Sequence, residues 1–163
     1  MKTESMTATN CSMTAAIFGW VLATCAIAES PVIAEIRLDA DPAKCLSIRP
    51  NKAVEMSSTR PRKVRIVPSL ADASLVSLEA VEFNGFYVRH QKFIFFLHRR
   101  PLQLGPLFDS DATFKLLQLD GDKVRFEASN YPGKFITVRD DGAVILSKDP
   151  PPAQSTFILR KQY

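Results

Sequence analysis

The stretch SLEAVEFNGFYVRHQKFIFFLH, residues 77–98, followed by DATFKLL, residues 111–117, has a second copy further along the chain. That copy is RFEASNYPGKFITVRDDGAVIL, residues 125–146, followed by QSTFILR, residues 154–160. Laid over one another, Glu79 answers Glu127, Asn84-Gly85 answers Pro132-Gly133, Val88-Arg89 answers Val138-Arg139 and Thr113-Phe114 answers Thr156-Phe157. A fainter copy, EIRLDADPAKCLSIRPNKAVEM at 35–56 with KVRIV at 63–67, precedes both and sets Ile48-Arg49 opposite Val88-Arg89. Self-similarity at a period of roughly forty residues marks a repeat architecture, in which each copy is one supersecondary unit.

Within the copies, short runs rich in β-branched and aromatic residues fall at 33–38, 45–48, 63–67, 75–78, 85–88, 93–97, 113–117, 124–126, 134–138, 143–146 and 155–159. Turn formers punctuate them: Asp41-Pro42, Asn84-Gly85, Asp120-Gly121, Pro132-Gly133 and Asp141-Gly142. That alternation predicts strands joined by tight turns, and no stretch after residue 30 keeps a helical period over three turns. About four strands per unit, in units of about 33–74, 75–122 and 123–163, predict an all-β β-trefoil: a six-stranded barrel closed by three hairpins. A β-sandwich would also account for the strands but not for the threefold repeat.

The chain has 163 residues, 46% apolar and 23% charged, a size and composition that suit one globular domain. A net charge of +4 favours acidic surfaces and polysaccharides, but the basic residues are scattered, so nucleic acid is not an expected partner. Ahead of the repeats, the apolar run AAIFGWVLATCAIA at 15–28 ends in the small-residue triplet Ala26-Ile27-Ala28. It reads as a signal peptide over 1–28, with a mature domain over 29–163, secreted or periplasmic. The run is too short to span a membrane. An alternative reading makes Cys25 the site of a lipid anchor, because Leu22-Ala23-Thr24-Cys25 approaches a lipobox. Cys11 and Cys25 belong to the expected leader, so Cys45 is left without an internal disulfide partner and is expected to be a small buried hydrophobe.

The motifs FNGFYVRHQKF (83–93), FDSDATFKLL (108–117) and RFEASNYPGKFITVR (125–139) resemble the arabinofuranosidase B-type carbohydrate-binding domain, family 42 of the carbohydrate-binding modules. The resemblance covers nearly all of the expected mature chain. It implies a three-lobed trefoil that recognises arabinofuranose side chains of arabinoxylan or arabinan, as in the binding domain of α-L-arabinofuranosidases. It also implies site residues: the histidine of the aromatic-x-Arg-His motif, His90; the aspartate of Asp-Ala-Thr-Phe, Asp111; and Tyr87 as the neighbouring aromatic. An ionised carboxylate can accept from two vicinal hydroxyls and an imidazole can serve a third, while an aromatic face packs on the sugar's C–H surface. In the third unit the alignment puts Asp140 at the histidine position and Gln154 at the aspartate position; in the first it puts Pro50 and Pro61. One site, in the middle unit, is therefore expected, without the avidity of several linked sites.

Plainer roles stand beside these. His90 could be a structural histidine, Asp111 a turn cap, Phe93, Phe95 and Phe96 parts of one barrel or hairpin strand in which Phe95 and Phe96 face opposite ways, and Arg49, Arg89 and Arg139 repeated scaffold cations. His98-Arg99-Arg100 reads as a solvated loop and Pro150-Pro151-Pro152 as a stiff one. Glycoside hydrolysis of the usual kind needs two carboxylates facing each other across a cleft, and no such pair, phosphate loop, nucleophile-base motif or metal-ligand cluster is recognisable. No catalysis, cofactor or metal is expected. A separate catalytic chain is a conceivable partner, and the alternative to sugar binding is a trefoil scaffold that has become a protein-interaction or inhibitor module.

Overall fold

The computed structural model describes residues 31–103 and 105–162; the expected leader lies outside the described residues. The chain runs through β1 (Val32–Leu38), β2 (Asp41–Ser47), β3 (Glu55–Ser57) and β4 (Lys63–Pro68), then β5 (Val76–Ala80), β6 (Phe86–Gln91) and β7 (Ile94–Arg99). A short helix α1 (Pro106–Asp111) leads into β8 (Phe114–Gln118). The remainder comprises β9 (Lys123–Ala128), β10 (Lys134–Val138), β11 (Val144–Lys148), a second short helix α2 (Pro152–Ser155) and β12 (Phe157–Gln162).

The pairing closes on itself. β1 pairs with β4 and β12, β5 with β4 and β8, and β9 with β8 and β12, all antiparallel, so six strands form a barrel without a free edge. The other six form the hairpins β2–β3, β6–β7 and β10–β11. The hairpins also touch one another, through Ile94 with Ile145, Ala53 with Phe96 and Glu55 with Ala143. A six-stranded barrel with three mutually contacting hairpins is a β-trefoil.

Alternation of buried and outward residues drives this closure. In β1, Ala34, Ile36 and Leu38 are buried while their neighbours are partly exposed, and β9 repeats the pattern with Val124, Phe126 and Ala128. Ile36, Leu78 and Phe126 meet Leu46, Val88 and Ile136 around one small apolar void at the centre. Cys45 is buried and unpaired, and burial pushes its thiol pKa up, which keeps it protonated and apolar in behaviour.

The central set of six corrects the alignment between units. Val88 stands opposite Leu97, and Ile136 opposite Leu146, so Ile136 rather than Val138 is the counterpart of Val88. The same layer contains Leu46, not Ile48. The repeated hydrophobic-Arg dipeptides at 48–49 and 138–139 thus sit two residues out of step with 88–89, and counting on from the central layer sets Ile48 and Val138, both buried, against His90. Pro50 and Asp140 do not occupy the histidine position. The dipeptide misled because a two-residue slip in a strand preserves the facing of every side chain.

Three smaller expectations also change. β3 is an additional short strand. Phe93 lies in the β6–β7 turn rather than in β7, with φ of 66°. The proline run at 150–152 ends in the first residue of α2, where a missing N–H costs nothing.

Glu79 and Glu127 do repeat in step. Glu79 accepts the Gly85 N–H at 2.9 Å and Glu127 accepts the Gly133 N–H at 2.7 Å. Gly85 and Gly133 carry φ of 77° and 82°, a conformation glycine adopts without steric cost. Each carboxylate therefore fastens the turn that launches a hairpin. Glu127→Ala should lower stability by about 1–3 kcal/mol, the range for orphaning a partly buried donor, read by thermal unfolding; an unchanged midpoint would show that the clamp contributes nothing.

Candidate functional site

The middle hairpin, α1 and the turn before β10 surround a cleft of about 440 Å³ lined by Arg89, His90, Gln91, Lys92, Phe93, Leu107, Asp111 and Tyr131. His90 comes from β6, whose register with β7 sets it opposite Phe95. Asp111 is the last residue of α1, and the next residues return the chain to the barrel. Arg100 holds this helix by gripping Asp109 with two hydrogen bonds, at 3.0 and 2.8 Å, and the Thr113 hydroxyl donates to the Asp109 carbonyl at 2.7 Å. Arg100 is thus a clamp at the end of β7 and not part of a solvated loop.

His90 and Asp111 come together. His90 Nε2 lies 3.6 Å from Asp111 Oδ1, and Asn130 bridges them: its Nδ2 donates to Asp111 Oδ1 at 3.0 Å while its Oδ1 stands 3.0 Å from His90 Nε2. With the amide turned that way, Nε2 carries the proton that Asn130 accepts. Arg89 Nη2 approaches Asp111 Oδ2 at 3.9 Å, and its guanidinium lies 5.0 Å from the Phe108 ring centroid. His90 is 3% and Asp111 6% exposed, so the two form the floor of the cleft and not its rim. Asp111 is held by Asn130 across the cleft and does not serve as the cap of its own turn.

The walls are apolar. Tyr131 sets its ring edge-on to His90 at 5.4 Å and to Phe93 at 5.3 Å, and both Tyr131 and Phe93 are 40% exposed. Lys134 places Nζ 3.9 Å from the Phe93 centroid. Phe95, by contrast, is fully buried behind His90, with ring centroids 6.0 Å apart.

Tyr87 does not line this cleft. It pairs with Glu79 on one side and His98 on the other, and burial together with Glu79 pushes its phenol pKa up. The aromatic beside the His90–Asp111 pair is Tyr131. Sequence reading missed Asn130 and Tyr131 as site residues although it quoted both, because they belong to the third repeat while the pair belongs to the second. The cleft straddles the two.

The other lobes hold different chemistry. In the third, Gln154 Nε2 reaches Asp140 Oδ1 at 3.4 Å beside Thr137 and Arg139, in an open depression of about 340 Å³. In the first, residues 58–62 join β3 to β4 without a helix corresponding to α1.

The model of the α-L-arabinofuranosidase B (ABFB) domain family matches residues 44–158, about 70% of the chain. The chain belongs to this family. No curated protein matches this chain. Among solved structures, an arabinofuranosidase complexed with arabinofuranosyl-alpha-1,2-xylobiose superposes with a TM-score of 0.70 at 16% identity, covering 80% of this chain and 31% of that one. This chain therefore spans about a third of that enzyme's length. The designed threefold-symmetric ThreeFoil gives a TM-score of 0.62 at 14% identity, covering 80% of this chain and 99% of that one. Chicken interleukin 1 beta gives 0.59 at 15%, covering 80% and 98%. At such identities the structural likeness establishes the trefoil fold and no more.

Proposed function

We propose that this AbfB-family chain is a secreted, non-catalytic carbohydrate-binding domain that holds an arabinofuranose side chain of a plant-type polysaccharide in the middle-lobe cleft. The observation that carries this reading is the His90–Asn130–Asp111 network on the floor of a cleft walled by Tyr131 and Phe93. Hydrogen-bonding groups fixed by one another beneath partly exposed rings suit a ligand that is polar on its hydroxyl edge and apolar on its C–H face. Asp111, an acceptor with lone pairs beyond the one used by Asn130, takes vicinal hydroxyls; His90 serves the next. The family match and the likeness to an enzyme that was solved with an arabinofuranosyl ligand support the choice of sugar.

The donor set supports binding without bond cleavage. Asp111 is the single carboxylate among the cleft's lining residues, and hydrolysis of the usual kind requires a second one about 5–9.5 Å away. Any hydrolysis would belong to a separate catalytic chain, which this domain would hold near its polymer. The other two lobes, with Ile48 and Val138 at the histidine position, leave one site per chain.

Calorimetric titration with arabinofuranosyl-substituted xylo-oligosaccharides tests the reading. Saturable binding with a stoichiometry of one supports it. No heat with any arabinofuranosyl ligand would retire it in favour of the protein-interaction scaffold.

A further inference from the structure

The cleft's rim carries a charge that a neutral sugar does not require. The geometry points to a ligand that combines arabinofuranose with uronic-acid carboxylates, the carboxylates being met by Lys92 and Lys134. This inference rests on the reading above and narrows its substrate class from arabinofuranosyl glycans in general to acidic ones.

Three observations converge. First, Lys92 lines the cleft and Lys134 stands over Phe93 and Tyr131, at 3.9 and 5.6 Å from their centroids, while the lining's carboxylate, Asp111, is already engaged by Asn130 and Arg89. Among the described residues, neither lysine has a carboxylate within ion-pair distance, and the same holds for Lys148. Second, Lys134 and Lys148 are direct partners in the β10–β11 ladder. Like charges set opposite one another cost stability unless something negative lies between or beside them. Third, Lys92 and Phe93 form the two-residue turn between β6 and β7 with φ of 51° and 66°. Such turns are ordinarily filled by Asn and Gly, and a bulky residue there strains the backbone. The chain accepts that strain and so displays a cation and a ring at the mouth of the cleft.

Distance sets the scale. A carboxylate on the sugar next to a bound arabinofuranose lies within one Debye length, about 8–10 Å, of rim lysines, so the attraction survives at moderate salt and fades at high salt. Two partly solvated pairs should together raise affinity by about three- to tenfold at low ionic strength.

The test compares two probes on the same protein: a neutral arabinofuranosyl xylo-oligosaccharide and one of equal length carrying a glucuronic acid substituent. The acidic probe should bind about three- to tenfold more tightly at 20 mM salt, with the ratio falling toward one at 500 mM. In Lys92→Gln and Lys134→Gln proteins, each checked for an unchanged unfolding transition, the ratio should also fall toward one. Equal binding of both probes by the parent at low salt overturns the inference and leaves the arabinofuranose reading standing. Binding of neither probe overturns both. A preference that persists in both variants, or at 500 mM salt, assigns the acidic contact elsewhere and likewise overturns it.

Discussion

Asp111→Ala is expected to abolish saturable sugar binding, a loss of at least about fiftyfold, while His90→Ala should weaken it to a similar degree. The size of the effect follows from what the substitution leaves behind. Asp111 receives Asn130 Nδ2 at 3.0 Å and faces Arg89 at 3.9 Å in a setting where it is only 6% exposed. Without it, the cleft floor loses its charged acceptor for the sugar hydroxyls. Asn130 loses the bond that orients its amide toward His90, and the Arg89 guanidinium is left without a counter-charge. Truncating one member of a buried charged pair commonly costs about 2–5 kcal/mol, enough for the stated loss. Because Asp111 also ties α1 to the turn before β10, the variant must be compared with its parent by circular dichroism and thermal unfolding before titration. Asp111→Asn, which keeps the shape and one acceptor oxygen, should fold and bind weakly. If the well-folded alanine variant binds as the parent does, the sugar site lies elsewhere on the trefoil.

The second large effect concerns stability. Phe95→Ala should destabilise the fold by about 3–5 kcal/mol and lower its unfolding midpoint by roughly 10 °C or more, as expected for emptying a fully buried aromatic site. Phe95 has no exposed surface and packs its ring 5.9 Å from Phe114 and 6.0 Å from His90. Its carbonyl accepts the Val54 N–H at 2.8 Å, which joins the middle hairpin to the first lobe. The cavity therefore opens between barrel and hairpins, directly behind the imidazole. Binding should fall with stability, because His90 loses the ring that backs it. Phe95→Leu, which retains most of the volume, should lose less of both. A midpoint shift below about 3 °C for the alanine variant would mean that neighbouring side chains collapse into the space, and that Phe95 does not fix the position of His90.

The stability and binding predictions meet at one place because the site is an extension of the core. From Phe114 through Phe95 to His90, Asn130 and Asp111, aromatic packing passes directly into hydrogen bonding. The hairpin register and the Arg100–Asp109 clamp beneath α1 hold these groups in place.

The barrel, the hairpins and the pairing of His90 with Asp111 were legible in the amino-acid sequence. Alternating burial, the Gly turns and the recurring Glu79 and Glu127 are local patterns with period two, and a threefold repeat of such patterns has few ways to close. The motifs around 83–93 and 108–117 named the two polar residues because each lies in one contiguous stretch. Tertiary structure alone decided the rest. Tyr131, not Tyr87, stands beside the pair, since Tyr87 sits near the start of β6 between Glu79 and His98 while the neighbouring lobe delivers Asn130 and Tyr131. It also decided that Ile48 and Val138 answer His90, because a two-residue slip leaves the facing pattern intact and only cross-strand pairing can reveal it. Local periodicity determines which face a residue takes. Which residues from different repeats meet on that face is settled when the barrel closes.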